Sequence, residues 1–216
     1  MTEPSWLSAT RASYDAIAAD YAEYAAADLE DRPLNRAMLV AFAEYVRAAG
    51  GGRVAEVGCG PGRITAFLHG LGVDAFGIDL SPAMVGLARR THPHLRFEEG
   101  SMTELDLADG SLAGLVAWYS VIHLPPDLLP EVFGGFHRVL APGGHLLLAF
   151  QTGDGLLHLD EALGHEVSLD FHRLRPDRVA VLLEEAGFEV RARMLREPEE
   201  ERTPQACLLA RRRQEA

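Results

Sequence analysis

Apolar residues recur at three-and-four spacing along the first fifty positions. Tyr14, Ile17, Ala18, Tyr21 and Ala22 share one face, and Leu34, Met38, Leu39, Phe42 and Val46 share another. That period predicts two amphipathic helices, a helical cap over residues 1–50. A polar break from Asp28 to Arg32 separates them, Pro33 suits a helix start, and Gly50-Gly51-Gly52 ends the second. From Arg53 the pattern changes to short apolar runs alternating with helical segments. The runs predict strands at Arg53–Val57, Val73–Ile78, Leu95–Glu98, Leu112–Tyr119 and Gly144–Gln151. Between and after them fall predicted helices at Ile64–His69, Pro82–Thr91, Leu128–Leu140 and Asp177–Ala186, with Ser81 as an N-cap and Gly187 as a C-terminal stop. Phe188–Arg196 and Gln205–Arg211 predict two further strands, joined by the acidic loop Glu197 to Thr203, a connection short enough for an antiparallel pair. The expected fold is α/β: seven strands in a mostly parallel sheet, helices on both faces and a C-terminal antiparallel hairpin.

Residues 152–175 break the alternation. They are irregular in pattern, contain Gly153, Gly155 and Gly164, and carry three histidines. An insertion at the carboxyl end of such a sheet is expected to form a substrate lid.

The chain of 216 residues fits a single domain. Its net charge of −12 disfavours nucleic acid and anionic membrane as partners, since a polyphosphate would be repelled. All 20 basic residues are arginine, which excludes a Schiff-base lysine and a phosphate-loop lysine. The two cysteines, Cys59 and Cys207, fall in predicted core elements without metal-type spacing, as expected in a reducing cytoplasm. No basic-then-apolar leader opens the chain, and no apolar run is long enough to cross a bilayer.

The most informative stretch is Glu56-Val57-Gly58-Cys59-Gly60-Pro61-Gly62-Arg63. A strand ends in an acid, turns on glycines and leads into a helix. Asp79 ends the next strand, 21 residues after Gly58. This is how an α/β fold grips a ribose. Nicotinamide enzymes share the turn, but their fingerprint places a small residue where Arg63 stands. Glu56 would repel a pyrophosphate and attract a cationic ligand, and a Tyr-x-x-x-Lys pair is impossible without lysine. Each residue also has a plainer role open to it. The glycines can serve the turn alone, Asp79 can cap the helix from Pro82, and Leu80 and Met84 can be core.

Together these motifs resemble the class I S-adenosylmethionine-dependent methyltransferases. Residues Glu56 to Gly62 are similar to that family's first motif, and Gly77-Ile78-Asp79-Leu80-Ser81-Pro82-Ala83-Met84 to its second. Phe97 to Met102 stand at the third, and His137 to Leu146 resemble the approach to the fifth strand. Tyr14-Asp15-x-x-Ala18-x-x-Tyr21 is common in small-molecule members. The resemblance implies a Rossmann-like fold and S-adenosylmethionine as cofactor. Asp79 would accept the ribose hydroxyls, and Gly58, Gly60 and Gly62 would let backbone approach the methionine. Glu56 would balance the ammonium. Leu80 and Met84 would cover the adenine, with Ser101 and Met102 at its edge. Ser101 departs from the pattern, where an aspartate is frequent. Tyr119 would line the site through its carbonyl, and Tyr14 and Tyr21 would close over the sulfonium.

Methyl transfer from a sulfonium needs alignment above all, and a base only for a protonated acceptor. His123, at the end of the fourth strand, is the candidate general base, and a backbone-bonded histidine is the alternative. His158, His165 and His172 are spaced by seven, but Gly155 and Gly164 disfavour one helix, so no metal site is expected. His165, His172 and Arg173, with Asp170, are expected to face a small-molecule acceptor instead. The reading is a methyltransferase acting on an O, N, S or C atom. Its rivals are a catalytically idle cofactor-binding domain and a nicotinamide-dependent oxidoreductase.

Overall fold

A computed structural model describes residues 3–25, 29, 32–199 and 201–214. Of the expected polar break, residues 28, 30 and 31 lie outside the described residues, as does residue 200 of the expected acidic loop. Two helices open the chain, α1 (Ser5–Tyr24) and α2 (Pro33–Ala48). Then β1 (Arg53–Val57), α3 (Arg63–Gly70), β2 (Asp74–Asp79), α4 (Pro82–Thr91), β3 (Phe97–Glu99) and β4 (Leu112–Trp118) alternate. After two short 3-10 turns come α5 (Leu129–Val139), β5 (Leu140–Gln151), β6 (Leu156–Ala162) and β7 (His165–His172). The chain closes with α6 (Pro176–Glu185), β8 (Phe188–Arg196) and β9 (Gln205–Arg212).

Seven strands form one sheet in the order β3-β2-β1-β4-β5-β9-β8. The first five are parallel; β9 runs antiparallel between β5 and β8. Strands buried on both faces need continuous apolar runs. Leu115, Val116 and Ala117 in β4 and Leu146 to Phe150 in β5 supply them, all fully buried. One face packs on α5 and α6 through Phe133, Phe136 and Leu183. The other packs on α2 and α3 through Leu39, Phe42 and Leu68. Parallel strands aligned this way bring the carboxyl ends of β1, β2 and β4 to one edge.

The expectation of an irregular segment over residues 152–175 is corrected. β6 and β7 form a separate antiparallel pair, with Leu156 opposite His172 and Ala162 opposite His165. Their outer face is solvated and carries charged side chains, and in β7 Val167, Leu169 and Phe171 alternate with Glu166, Ser168 and Asp170, the period of a half-buried strand. The strand β5 also starts four residues earlier than expected, because Leu140 pairs with Leu112 before a bulge.

Candidate functional site

The glycine turn sits where β1 meets α3. Gly58 and Cys59 donate backbone N–H bonds to Ile78 O, at 2.8 and 3.1 Å, which ties the turn to β2. Gly58 adopts φ +72°, and a Cβ there would stand 2.3 Å from the Ser120 Cβ. Only glycine serves that position. Ser120 in turn donates its hydroxyl to Val57 O at 2.7 Å, pinning the end of β4 to the end of β1.

A cavity of about 100 Å³ opens over this edge. Its floor is Gly58, Gly60 and Asp79, with Leu80 and Met84 to one side and Ser101 and Met102 beyond. Asp79 accepts from Gly60 N at 2.7 Å through one oxygen and from Ser81 N at 2.9 Å through the other. Burial raises its pKa and these N–H bonds oppose the rise. The bonds fix the carboxylate plane while each oxygen keeps acceptor capacity for the cavity. Ser101 holds Thr103 by a 2.7 Å hydroxyl contact, which closes a turn under the far wall. Gly62, in a left-handed N-cap of α3, does not line the cavity. A Cβ there would strike Phe97 at 2.6 Å, so this glycine allows close packing of the helix entry.

At the other end of the cavity stand Tyr119, His123 and the roof helix α1, which contributes Trp6, Thr10, Tyr14 and Tyr21. Tyr119 follows β4 with φ 53°, a left-handed conformation held by its N–H bond to Ala149 O at 2.9 Å. His123 lies in a 3-10 turn, with Nδ1 2.8 Å from Asp170 O and Nε2 2.8 Å from the Tyr14 hydroxyl. A carbonyl only accepts, so Nδ1 carries the proton and Nε2 accepts from Tyr14. Burial pushes the His123 pKa down to about 4 and the Tyr14 pKa well above its ordinary value. Both groups are therefore neutral across the physiological range.

Besides Gly62, four expected site residues stand elsewhere. Glu56 is turned from the cavity and accepts the Thr65 hydroxyl in the first turn of α3. Burial pushes its pKa up to about 8, so it is mostly protonated at neutral pH and is a poor partner for an ammonium. His165 pairs with Asp20 at 2.7 Å on the outer side of α1. His172 and Arg173 line a separate cavity of about 530 Å³ with Arg175 and Arg178. The strand period explains this: in β7 alternate residues face opposite ways, so residues spaced by seven never share a face. Asp170 splits the same way, its carbonyl on His123 and its carboxylate on His158 at 2.7 Å. Among the described residues no group of three His, Cys, Asp or Glu could hold a metal ion.

Sequence reasoning missed Trp6, Thr10, Trp118 and Ser120, all of which line the cavity. A signal existed for two of them. Trp6 and Thr10 continue the α1 face of Tyr14 and Tyr21 upstream at i, i+4 spacing.

Residues 54–144 match the family model of a methyltransferase domain. An uncharacterized methyltransferase of Mycobacterium tuberculosis is 32% identical over 141 residues, covering 64% of this chain and 55% of that protein. A malonyl-[acyl-carrier protein] O-methyltransferase of Pectobacterium atrosepticum is 29% identical over 56% of this chain and 51% of its own length. The chain thus spans about half the length of the curated relatives it matches. Among solved structures, the magnesium protoporphyrin IX methyltransferase of Synechocystis, with bound S-adenosylmethionine, superposes with TM-score 0.74 at 15% identity, covering 98% of this chain and 99% of that one. Residues 54–144 thus match a methyltransferase domain, and the seven-stranded sheet is the fold of solved S-adenosylmethionine-dependent methyltransferases.

Proposed function

We propose that this chain binds S-adenosylmethionine in the cavity over β1 and β2 and moves its methyl group to an O, N, S or C atom of a small-molecule acceptor. The observation that carries the reading is the Asp79 carboxylate. It is buried, oriented by two backbone N–H groups and set between a glycine turn and an apolar wall. A ribose diol fits such an acceptor, and Leu80 and Met84 offer a flat base an apolar face. Ser101 and the Met102 backbone stand where the edge of that base would lie. Gly58 and Gly60 let a methionine chain cross the end of β1 toward β4. Glu56 has no place in this account, since it faces α3.

The cofactor, when bound, supplies an electrophilic methyl on a sulfonium. The chain's own residues supply enclosure and a route for a proton. Trp6, Tyr14, Tyr21 and Tyr119 wall the β4 end with aromatic surface, which excludes water and favours a nearby cation. Because Tyr14 donates to His123, its oxygen presents lone pairs to the cavity. An acceptor O–H or N–H can bond to that oxygen. Its proton passes to Tyr14 as the Tyr14 proton moves to His123 Nε2, which leaves neutral Tyr14 and a protonated imidazole. The low basicity of buried His123 suits an acceptor that becomes acidic only as its new bond forms. The hairpin of β6 and β7 acts here through Asp170 O, which sets the His123 tautomer. The expected contacts of His165, His172 and Arg173 with the acceptor do not form part of the proposal.

Two measurements test the reading. Calorimetric titration with S-adenosylhomocysteine checks the cofactor site, and absence of binding would end the proposal. Incubation of metabolite extracts with methyl-labelled cofactor, read by mass spectrometry, checks the transfer. Binding without any labelled product across the extracts would favour an idle domain.

A further inference from the structure

The first turn of an α-helix leaves backbone N–H groups that need partners from outside the helix. In α4 this accounting closes in an uncommon way. Pro82 has no N–H. Met84 N donates to the Ser81 hydroxyl at 3.1 Å, the usual N-cap bond. Ala83 N donates to Asp15 Oδ1 at 3.0 Å, and the Ser81 hydroxyl donates to the same oxygen at 2.5 Å. A carboxylate from α1, 66 residues upstream, thus completes the cap. Its negative charge also sits at the positive end of the α4 dipole.

This arrangement settles which acid caps the helix. Asp79 bonds Gly60 N and Ser81 N and leaves Ala83 and Met84 to Asp15 and Ser81. The link Leu80–Ser81 between Asp79 and α4 is held from α1 twice, since Arg11 Nε also donates to Leu80 O at 3.3 Å. On its opposite flank α1 is bonded to the β7 hairpin. Ser168 N donates to the Ser13 hydroxyl at 2.9 Å, and Tyr14 reaches His123. Consecutive residues of α1 therefore serve opposite walls. Tyr14 faces the β4 end of the cavity, and Asp15 grips the β2 end.

We propose that Asp15 is a positioning residue for the cofactor. By closing the first turn of α4 from the roof helix, it fixes the loop that orients Asp79. It also seats Tyr14 and Tyr21 over the glycine turn. The inference rests on the cofactor reading above and assigns Asp15 no contact with the reacting atoms.

The test is calorimetric binding of S-adenosylhomocysteine to the native chain and to Asp15→Ala, Asp15→Asn and Asp15→Glu, with hydrogen exchange followed over residues 5–24 in the bound state. Asn keeps an acceptor oxygen in place without the charge, and Glu keeps the charge but moves it by one methylene. Asp15→Ala should weaken binding about 10-fold, the scale expected for losing hydrogen bonds to a charged group. Asp15→Glu should lose affinity similarly, Asp15→Asn should stay within about threefold, and α1 should lose exchange protection only in Ala and Glu. If Asp15→Ala does not fold, the contrast between Asn and Glu carries the test. Native-like binding by Asp15→Ala or Asp15→Glu would overturn the inference alone. So would weak binding with α1 protection unchanged. Failure of the native chain to bind would remove the cofactor reading and this inference with it.

Discussion

The floor and the roof of the cavity are built by different chemistry. On the floor, side chains bond to groups close in sequence, and mostly to backbone. Gly60 and Asp79 are 19 residues apart, Ser81 and Asp79 only 2, and Thr65 and Glu56 only 9. In the roof, the bonded pairs are far apart: Tyr14 with His123 over 109 residues, Asp20 with His165 over 145, and Ser13 with Ser168 over 155. The floor is thus fixed largely by one βαβ unit, braced from outside by Ser120 at Val57 and by Asp15 at the start of α4. The roof exists only when the N-terminal helix, the end of β4 and the β6–β7 hairpin are assembled together. A floor variant should change how tightly the cofactor is held, as should a variant at Asp15, which reaches from the roof helix to the floor, whereas a variant at the Tyr14–His123 pair should change what happens to it.

The largest expected effect is in the roof. His123→Asn keeps a donor toward Asp170 O and removes the group that receives the Tyr14 proton. On an O–H or N–H acceptor, turnover should fall roughly 10²–10⁴-fold, the range for loss of general-base assistance. Affinity for S-adenosylhomocysteine should be nearly unchanged. A collapse of that affinity would erase the division between roof and floor. Burial holds the wild-type imidazole near pKa 4. Turnover should therefore show no acid limb from His123 between about pH 8 and pH 5.5; a limb near the ordinary histidine value would show that His123 is solvated during turnover.

Next comes the floor. Asp79→Ala removes charged hydrogen bonds of about 1.5–3 kcal/mol, which is roughly 10–100-fold in affinity. The loss should be alike for S-adenosylhomocysteine and 5′-methylthioadenosine, since both carry the ribose. Calorimetry with the two ligands checks this, and a loss confined to the first would move Asp79 from the ribose to the amino-acid end.

Glu56 gives a smaller effect that separates two acids on neighbouring strands. Its folded pKa, about 8, lies above the ordinary carboxylate value of 4.5. The folded state then binds more protons than the unfolded state between these values, so its contribution to stability is full below about pH 4.5 and is lost as pH rises toward 8. Glu56→Gln should flatten that slope. In thermal unfolding the wild type should drop by several degrees between about pH 6 and pH 8, given about 2–4 °C per kcal/mol for a chain of this size. The variant should hold nearly level. An equal slope in both proteins would show that Glu56 is ionised in the fold.

Ser101→Ala should do least. The hydroxyl already bonds Thr103, so S-adenosylhomocysteine affinity should change by less than about fivefold, of the order of one neutral hydrogen bond. A larger loss would make Ser101 a principal adenine contact.

The contrast also explains what the sequence made legible. The helix Pro82–Thr91 and the strands Arg53–Val57 and Phe188–Arg196 have the bounds read from pattern alone, because proline, serine and glycine punctuation is local. A seven-stranded, mostly parallel sheet with an antiparallel last pair follows from strand-helix alternation and the short last connection, whereas the order of the strands does not. The β6–β7 hairpin was legible only in β7, where Val167, Leu169 and Phe171 alternate with Glu166, Ser168 and Asp170; the glycines around it and the mixed pattern of β6 suggest a loop. The side to which Glu56 turns was unreadable for a different reason. A strand residue's side is set by its register against both neighbours, and the motif gives its spacing without that side.

From the amino-acid order alone came the glycine turn, the acid at the end of the second strand, the helix cap at Ser81 and hence the edge where a ribose would lie. These depend on φ angles, strand period and short-range hydrogen bonds, all of which a few consecutive residues determine. Tertiary structure alone decided that His123 is a neutral acceptor of a tyrosine proton, that Asp15 completes the α4 cap and that His165, His172 and Arg173 lie away from the cavity. Each of these depends on groups more than 40 residues apart meeting within hydrogen-bond distance, or failing to, and on the burial that sets their charge.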